Sequence, residues 1–365
     1  MSKGHYIIPI FVPHEGCPHN CVFCNQNTIT ASAQNVQNVD AKFTRNIIEE
    51  YLKTMNHDES TIEVSFFGGT FTAIDINKQN ELLEVAKYYK DGGYIDYIHL
   101  STRPDYIDDD ILKNLKKYSV DVIELGVQSL DDEVLKKSGR GHSAKDVRIA
   151  SELIRQYGFC LGHQMMLGLP GDSFEKDIES IKMSIAMKPD IYRIYPALVI
   201  KDTPMEKMYN QNIYKPYELY EAVNICRVLY IMLLASNINV IRIGLQPTTE
   251  INVGGELIAG PFHPAFRELV EGRIYNECLY SKIAASNSDD VIVYINSRDI
   301  SKLYADKKKF FNDTMKQIKT KNVKIIQDDS VMRGKLIFNM GKECKKVSIY
   351  KYIIKKYKEG NENIL

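Results

Sequence analysis

The sequence has no tryptophan, no hydrophobic run long enough to cross a bilayer and, with 47 Lys plus Arg against 47 Asp plus Glu, no net charge. The missing tryptophan excludes nothing about function; beside abundant Lys, Ile, Asn and Tyr it fits a bias in genome composition. The short apolar runs do exclude something. Stretches such as residues 228–235 fall far below the roughly 20 residues of a membrane-spanning helix, so no membrane partner is expected. Residues 1–5 lead straight into an apolar strand pattern without the hydrophobic core of a signal peptide, which points to a cytoplasmic protein. Of seven cysteines, three are clustered and four stand singly, a spacing that suits a reducing compartment and no disulfide framework. The neutral balance also conceals an asymmetry: residues 301–358 hold 17 Lys plus Arg against 5 Asp plus Glu. Such a local excess of positive charge raises the expectation of an anionic partner.

What stands out from this composition is Cys17-Pro-His-Asn-Cys21-Val-Phe-Cys24. Three thiols in one short loop, just after an apolar strand at 6–12, can converge on one soft metal centre without help from distant sequence. Three ligands leave such a site open. Structural zinc takes four, whereas a 4Fe-4S cluster held by three thiolates keeps one iron for an outside ligand. His19 could be a fourth ligand, but from inside the loop its reach to the same metal is poor. We read a cluster, with zinc and inert cysteines as the alternatives.

Downstream, strand and helix patterns alternate. Strands are expected at 61–67, 94–101, 120–127, 160–167, 191–200 and 239–245, and helices at 41–55, 77–89, 108–118, 131–157 with a break at Gly139-Arg-Gly141, 173–187 and 217–236. This spacing implies parallel pairing with right-handed crossovers. The expected fold class is therefore α/β, a partial (β/α)6 barrel over residues 1–247 with a small basic α+β domain or lid at 248–365. In parallel barrels chemistry sits at the C-terminal strand ends, and every unusual motif lies there: Gly68-Gly69, Ser101 to Arg103, Gln128-Ser129, Gly168 to Gly171 and Tyr195-Pro196. In the C-terminal region a helix is expected at 265–281, strands at 291–296, 323–327 and 335–338, a lysine-rich helix at 302–319, and a strand or helix at 346–354. His263, Arg267 and Tyr275 are lid candidates, with a structural role as the simpler reading; Cys160, Cys226, Cys278 and Cys344 read as small buried apolar residues.

The cysteine run followed by Gly68-Gly69-Thr70 resembles the radical S-adenosylmethionine (SAM) enzymes. That resemblance implies two cofactors, a 4Fe-4S cluster on Cys17, Cys21 and Cys24 and SAM chelating its open iron, and a reductant partner such as flavodoxin or ferredoxin. It also implies SAM-binding roles: backbone groups of Gly68, Gly69 and Thr70 for the methionine amine, Phe23 near adenine, and Gln128 and Arg140 for ribose and carboxylate. Ser101, Gln164 and Met166 complete the implied cofactor-binding set.

Phe67-Gly-Gly-Thr-Phe71, Ser101-Thr-Arg-Pro-Asp105, Leu125-Gly-Val-Gln-Ser129 with Arg140-Gly-His142, Met166-Leu-Gly-Leu-Pro-Gly171 and Ile194-Tyr-Pro-Ala-Leu-Val199 narrow the resemblance to the radical SAM domain of the Elongator catalytic subunit. It spans about two-thirds of the chain and implies modification of transfer RNA (tRNA) nucleosides. Two departures bear on it. Ser101 stands where that family usually has Glu, and after residue 250 the sequence shows no acetyl-CoA-binding pattern, so the same reaction does not follow. Lys307 to Lys309, Lys316, Lys319, Lys321, Lys324, Lys342, Lys345 and Lys346, interleaved with Phe310, Phe311 and Tyr350, could bind RNA phosphates and bases or form a solvated surface. Two further readings stand beside RNA modification: a radical SAM enzyme for a small molecule or peptide, and a cluster-bearing binding protein without catalysis.

Overall fold

In a computed structural model, residues 4–12, 19–25, 39–55, 60–245, 255–318 and 321–359 are described. The strands in chain order are β1 (Gly4–Phe11), β2 (Ser60–Phe67), β3 (Tyr97–Thr102), β4 (Val122–Gln128), β5 (Cys160–Leu167), β6 (Ile191–Pro196), β7 (Val199–Ile200), β8 (Asn239–Ile243), β9 (Leu257–Ala259), β10 (Asp290–Ile295), β11 (Asn322–Gln327), β12 (Lys335–Met340) and β13 (Glu343–Ser348). Two compact units emerge, one of residues 1–216 with 247–260, the other of 217–246 with 261–365.

In the first unit β1 to β6 pair in sequence order, every neighbour parallel. Alternation along these strands sets two faces. Ile8, Ile10, Ile62, Val64, Phe66, Ile98, Leu100, Ile123, Leu125 and Leu161 are fully buried and share one core with Leu82, Leu83, Ala86, Leu112, Leu115 and Ile154 of the crossover helices. Side chains of intervening positions, Glu63, His99, Glu124 and Arg193 among them, point to the other face. Crossover helices start where a short polar side chain takes up an orphan backbone N–H: Asp40, Asp75, Asp108, Asp131, Ser143 and Ser173 each cap one, a device worth about 1 kcal/mol apiece. The helical stretch expected at 131–157 is two helices, Asp132–Lys137 and Ala144–Gln156, parted at Gly139-Arg-Gly141 as the glycines indicated. The strand expected at 191–200 is shorter. It stops at Pro196, and Val199–Ile200 pairs antiparallel with Leu257–Ala259 instead.

The second unit opens with the apolar helix Leu219–Ala235, buried almost throughout from Ala222 to Leu233, and continues through the helix Phe266–Ala284. Its four-stranded sheet has the order β11-β10-β12-β13, with β10 and β11 parallel and the other pairs antiparallel. The expected helix at 302–319 breaks into Ile300–Leu303 and Lys309–Gln317, because Asp306, Lys307 and Lys308 all adopt positive φ. The closing segment is a helix, Ile349–Glu359.

Candidate metal and cofactor site

The thiol loop follows β1; Cys21 and Cys24 are among the described residues and Cys17 lies outside them. The Cys24 N–H donates to the Cys21 carbonyl at 3.0 Å, a turn that keeps the two cysteines close. Three contacts tie down the rest of the loop: Val22 N–H to the Ser138 carbonyl at 3.0 Å, Met205 N–H to the Val22 carbonyl at 2.9 Å, and Asn25 Nδ2 to the Lys201 carbonyl at 2.8 Å. Phe23 is half-buried.

Arg140 bridges this loop to the end of β4. Its Nη1 donates to Cys21 Sγ at 3.3 Å and its Nη2 to the Gly126 carbonyl at 2.7 Å. The Arg140 carbonyl accepts from Arg103 Nη2, while the same guanidinium grips Asp105 at 3.0 and 2.9 Å. Two buried guanidiniums thus stand against one carboxylate beside the thiol loop. His19 Nε2 lies 3.5 Å from Asp105. Burial, then the charge of Arg103, holds its pKa below the ordinary value. Behind it Gly141 has φ +75, and a Cβ there would stand 2.2 Å from the His19 ring; only glycine lets the ring lie where it does. His142 donates from Nε2 to the Val127 carbonyl at 3.2 Å, and burial followed by the charges of Arg140 and Arg103 depresses its pKa to about 3.

These residues fit the implied cofactors. Arg140 Nε, Arg103 Nη1 and His142 Nδ1 are buried without a hydrogen-bond partner among the described residues, and buried polar atoms normally have one. At the end of β2 Gly68 adopts φ +107, where a Cβ would meet the Val12 carbonyl at 2.6 Å, so Gly68-Gly69 keeps a bare backbone next to the thiol loop. Thr70 is buried, and Thr72 and Thr102 join hydroxyls at 2.6 Å, locking the β2 and β3 ends together. Gln128 leaves β4 through a bulge with φ +65 and meets Gln164 Nε2 at 3.4 Å. Met166 lies beside Tyr195 in register. Ser101 donates to Glu124 Oε1 at 3.3 Å.

That last contact leads to a network with no counterpart in the sequence reading. His99 Nδ1 meets Glu63 Oε1 at 2.7 Å, His99 Nε2 approaches Glu124 Oε2 at 3.9 Å, and Arg193 Nε lies 2.7 Å from Glu124 Oε2. Arg193 Nη1 donates to the Tyr195 hydroxyl at 3.3 Å, and its guanidinium covers the Phe67 ring at 5.2 Å. Burial pushes the Glu63 carboxyl up, but the hydrogen bond and charge of His99 outweigh it and bring its pKa to about 2. The signal was a charged residue set singly between apolar neighbours on four different strands, at the positions that alternate away from the helices.

The remaining candidates have partners of their own. His263 accepts from the Ala265 N–H, Arg267 holds Glu271 and two carbonyls, and Tyr275 is buried, all within the second unit. Burial raises the Cys278 thiol to about 12 and the Cys160 thiol to about 11, so both stay protonated. Cys344, expected to be buried, is exposed at the sheet edge, and Cys160 is half-buried. Phe310, expected to stack bases, is itself buried.

Comparison with known proteins bears on the family and the fold. The model of the radical SAM superfamily matches residues 11–183, and that of the radical SAM C-terminal domain matches 189–276. The tRNA uridine(34) acetyltransferase of Methanocaldococcus jannaschii is 28% identical over 259 residues, 61% of this chain and 48% of that protein. Human Elongator complex protein 3 is 26% identical over 271 residues, 62% of this chain and 49% of its own length. The chain thus spans about half the length of these curated relatives. In fold it resembles Elp3 of Methanocaldococcus infernus lacking its N-terminus, with a TM-score of 0.60 and 24% identity over 76% of this chain and 64% of that one.

Proposed function

The chain belongs to the radical SAM superfamily, and we propose that it cleaves SAM reductively at a 4Fe-4S cluster to modify nucleosides of RNA, transfer RNA in particular. When bound, the cluster supplies the electron that splits SAM into methionine and a 5′-deoxyadenosyl radical able to take hydrogen from a substrate. Every other part falls to the protein: binding, orientation and exclusion of water.

Cys17, Cys21 and Cys24 hold the cluster. Arg140 serves two partners, with Nη1 on the Cys21 sulfur and the unpaired Nε left for the SAM carboxylate, which a guanidinium suits by charge and shape. Gly68, Gly69 and Thr70 offer backbone groups to the methionine amine. Ser101, hydrogen-bonded to Glu124, adds a hydroxyl there in place of a carboxylate. Gln128 and Gln164 would serve the ribose, and Phe23 and Met166 the adenosine. A flavodoxin- or ferredoxin-type reductant delivers the electron, and a cytoplasmic setting suits such chemistry.

One observation carries the RNA part of the reading: the shared region aligns this chain with proteins named for transfer RNA uridine 34 and with Elongator complex protein 3. The basic 301–358 segment agrees with it. Acetyl transfer is not carried over, since only about half of each relative is matched. The test is to incubate reconstituted, reduced protein and SAM with total transfer RNA, then digest and analyse the nucleosides by mass. A new nucleoside absent without SAM supports the proposal. Unaltered RNA beside continued SAM cleavage would move the substrate to small molecules or peptides.

A further inference from the structure

The second unit contains a sheet with one sealed and one open face. Val291, Val293, Ile295, Leu336, Phe338 and Met340 are buried on the sealed side. By strand alternation and register the opposite side carries two rows, Lys324–Ile292–Asn339–Cys344 and Ile326–Tyr294–Ile337–Lys346. All eight residues retain exposure, and Lys324, Cys344 and Lys346 are exposed. Lys335 follows in the next row. Among the described residues neither Lys324 nor Lys346 has an acidic partner, unlike Lys345 and Lys316, which pair with Glu343 and Asp313. Asp290, at the rim, is the acidic member of the face within these strands.

We infer that this face binds an unpaired strand of RNA, with Tyr294 stacking a base among Ile292, Ile326 and Ile337 while Lys324, Lys335 and Lys346 meet phosphates. The inference deepens the RNA reading above and rests on it. A half-apolar sheet surface with a central aromatic ring suits the face of a nucleobase, and flanking lysines suit the backbone. Duplex RNA hides its bases and would gain only the phosphate contacts. The charge argument selects nucleic acid over a neutral apolar partner: an excess of lysine and arginine of 17 to 5 surrounds this sheet in sequence. It also relocates the expected site. Two lysines of the run at 307–309 are held by rings, Lys308 over Tyr304 at 4.4 Å and Lys309 over Tyr220 at 3.3 Å.

The experiment measures binding of a fluorescent single-stranded RNA and its duplex to the full chain as a function of salt. Wild type should prefer the single strand. Tyr294→Ser should weaken it about tenfold, the loss of one stacked base, and the Lys324→Ser, Lys346→Ser double variant should flatten the salt dependence by about 1.4 in log–log slope. Thermal unfolding of each variant checks the fold, and photocrosslinking of 4-thiouridine RNA to wild type should map to β10, independently of any variant. Strong RNA binding unchanged in both variants, with crosslinks elsewhere, overturns this face while leaving the RNA reading intact. Equal affinity for duplex and single strand overturns base stacking. No RNA binding by wild type removes both the face and the reading beneath it.

Discussion

At Arg140 one guanidinium is shared between a sulfur and a main-chain carbonyl, so its loss should be felt by whatever that sulfur holds. Hydrogen bonds to cluster sulfurs raise the reduction potential by easing the extra negative charge of the reduced form. Arg140→Gln should therefore lower the cluster midpoint by roughly 60 mV, taking the charged bond as worth about 1.4 kcal/mol; an EPR-monitored redox titration without SAM reads it, and an unchanged midpoint would remove Cys21 from the ligand set. Cys24→Ala should abolish iron and sulfide retention after reconstitution, and a variant that kept a full cluster would exclude Cys24 from it. These cysteines were legible in the sequence because their contacts are local. Glu63, His99, Glu124 and Arg193 were not. They converge because β2, β3, β4 and β6 keep the same alternation phase in one sheet, with β5 between the last two, a fact of register that no single segment contains.

Loops and helices around the thiols owe their course to a few backbone positions, and two glycines of similar φ separate strain from fit. Gly93 has φ +72 with nothing within 4 Å, whereas Gly141 has φ +75 with the His19 ring in the way. Gly93→Ala should cost only the left-handed strain, about 1 to 2 kcal/mol. Gly141→Ala should cost more and also reduce iron retention, since His19 and its loop must shift; denaturant melts with iron assays distinguish the two. Equal effects from both variants would mean that His19 does not pack as described. At this scale the crossover helices were readable from periodicity, down to the break at Gly139. The lysine-rich helix was misjudged. Lysine favours helix, yet Tyr220 binds Asp306 at 2.6 Å and lies beneath Lys309, and these tertiary contacts accompany three consecutive left-handed residues.

For the molecule as a whole, acid stability should reflect histidines buried in neutral form. His163 is fully buried between Ser151 Oγ at 2.9 Å and Ser184 Oγ at 2.7 Å. The Ser151 hydroxyl donates to the Val147 carbonyl, so it accepts from His163 Nε2–H. Burial lowers the His163 pKa from 6.5 to about 3. The unfolded chain thus binds a proton that the folded chain refuses between these values, and stability falls as pH drops through that window, by about 1.4 kcal/mol per pH unit for this residue. His163→Gln should take up about one proton fewer on unfolding between pH 6 and 4, by denaturation across pH; an identical slope would show His163 charged in the fold. The alternating pattern made the parallel α/β unit legible, and the spacing of its motifs placed the site at one end. How the C-terminal lysines are distributed between ring contacts and an open sheet face needed the fold. The central claim is tested most directly by anaerobic release of 5′-deoxyadenosine from SAM by the reduced, reconstituted protein, with and without total transfer RNA. The account predicts release that transfer RNA stimulates and Cys24→Ala abolishes; no 5′-deoxyadenosine under either condition would contradict it.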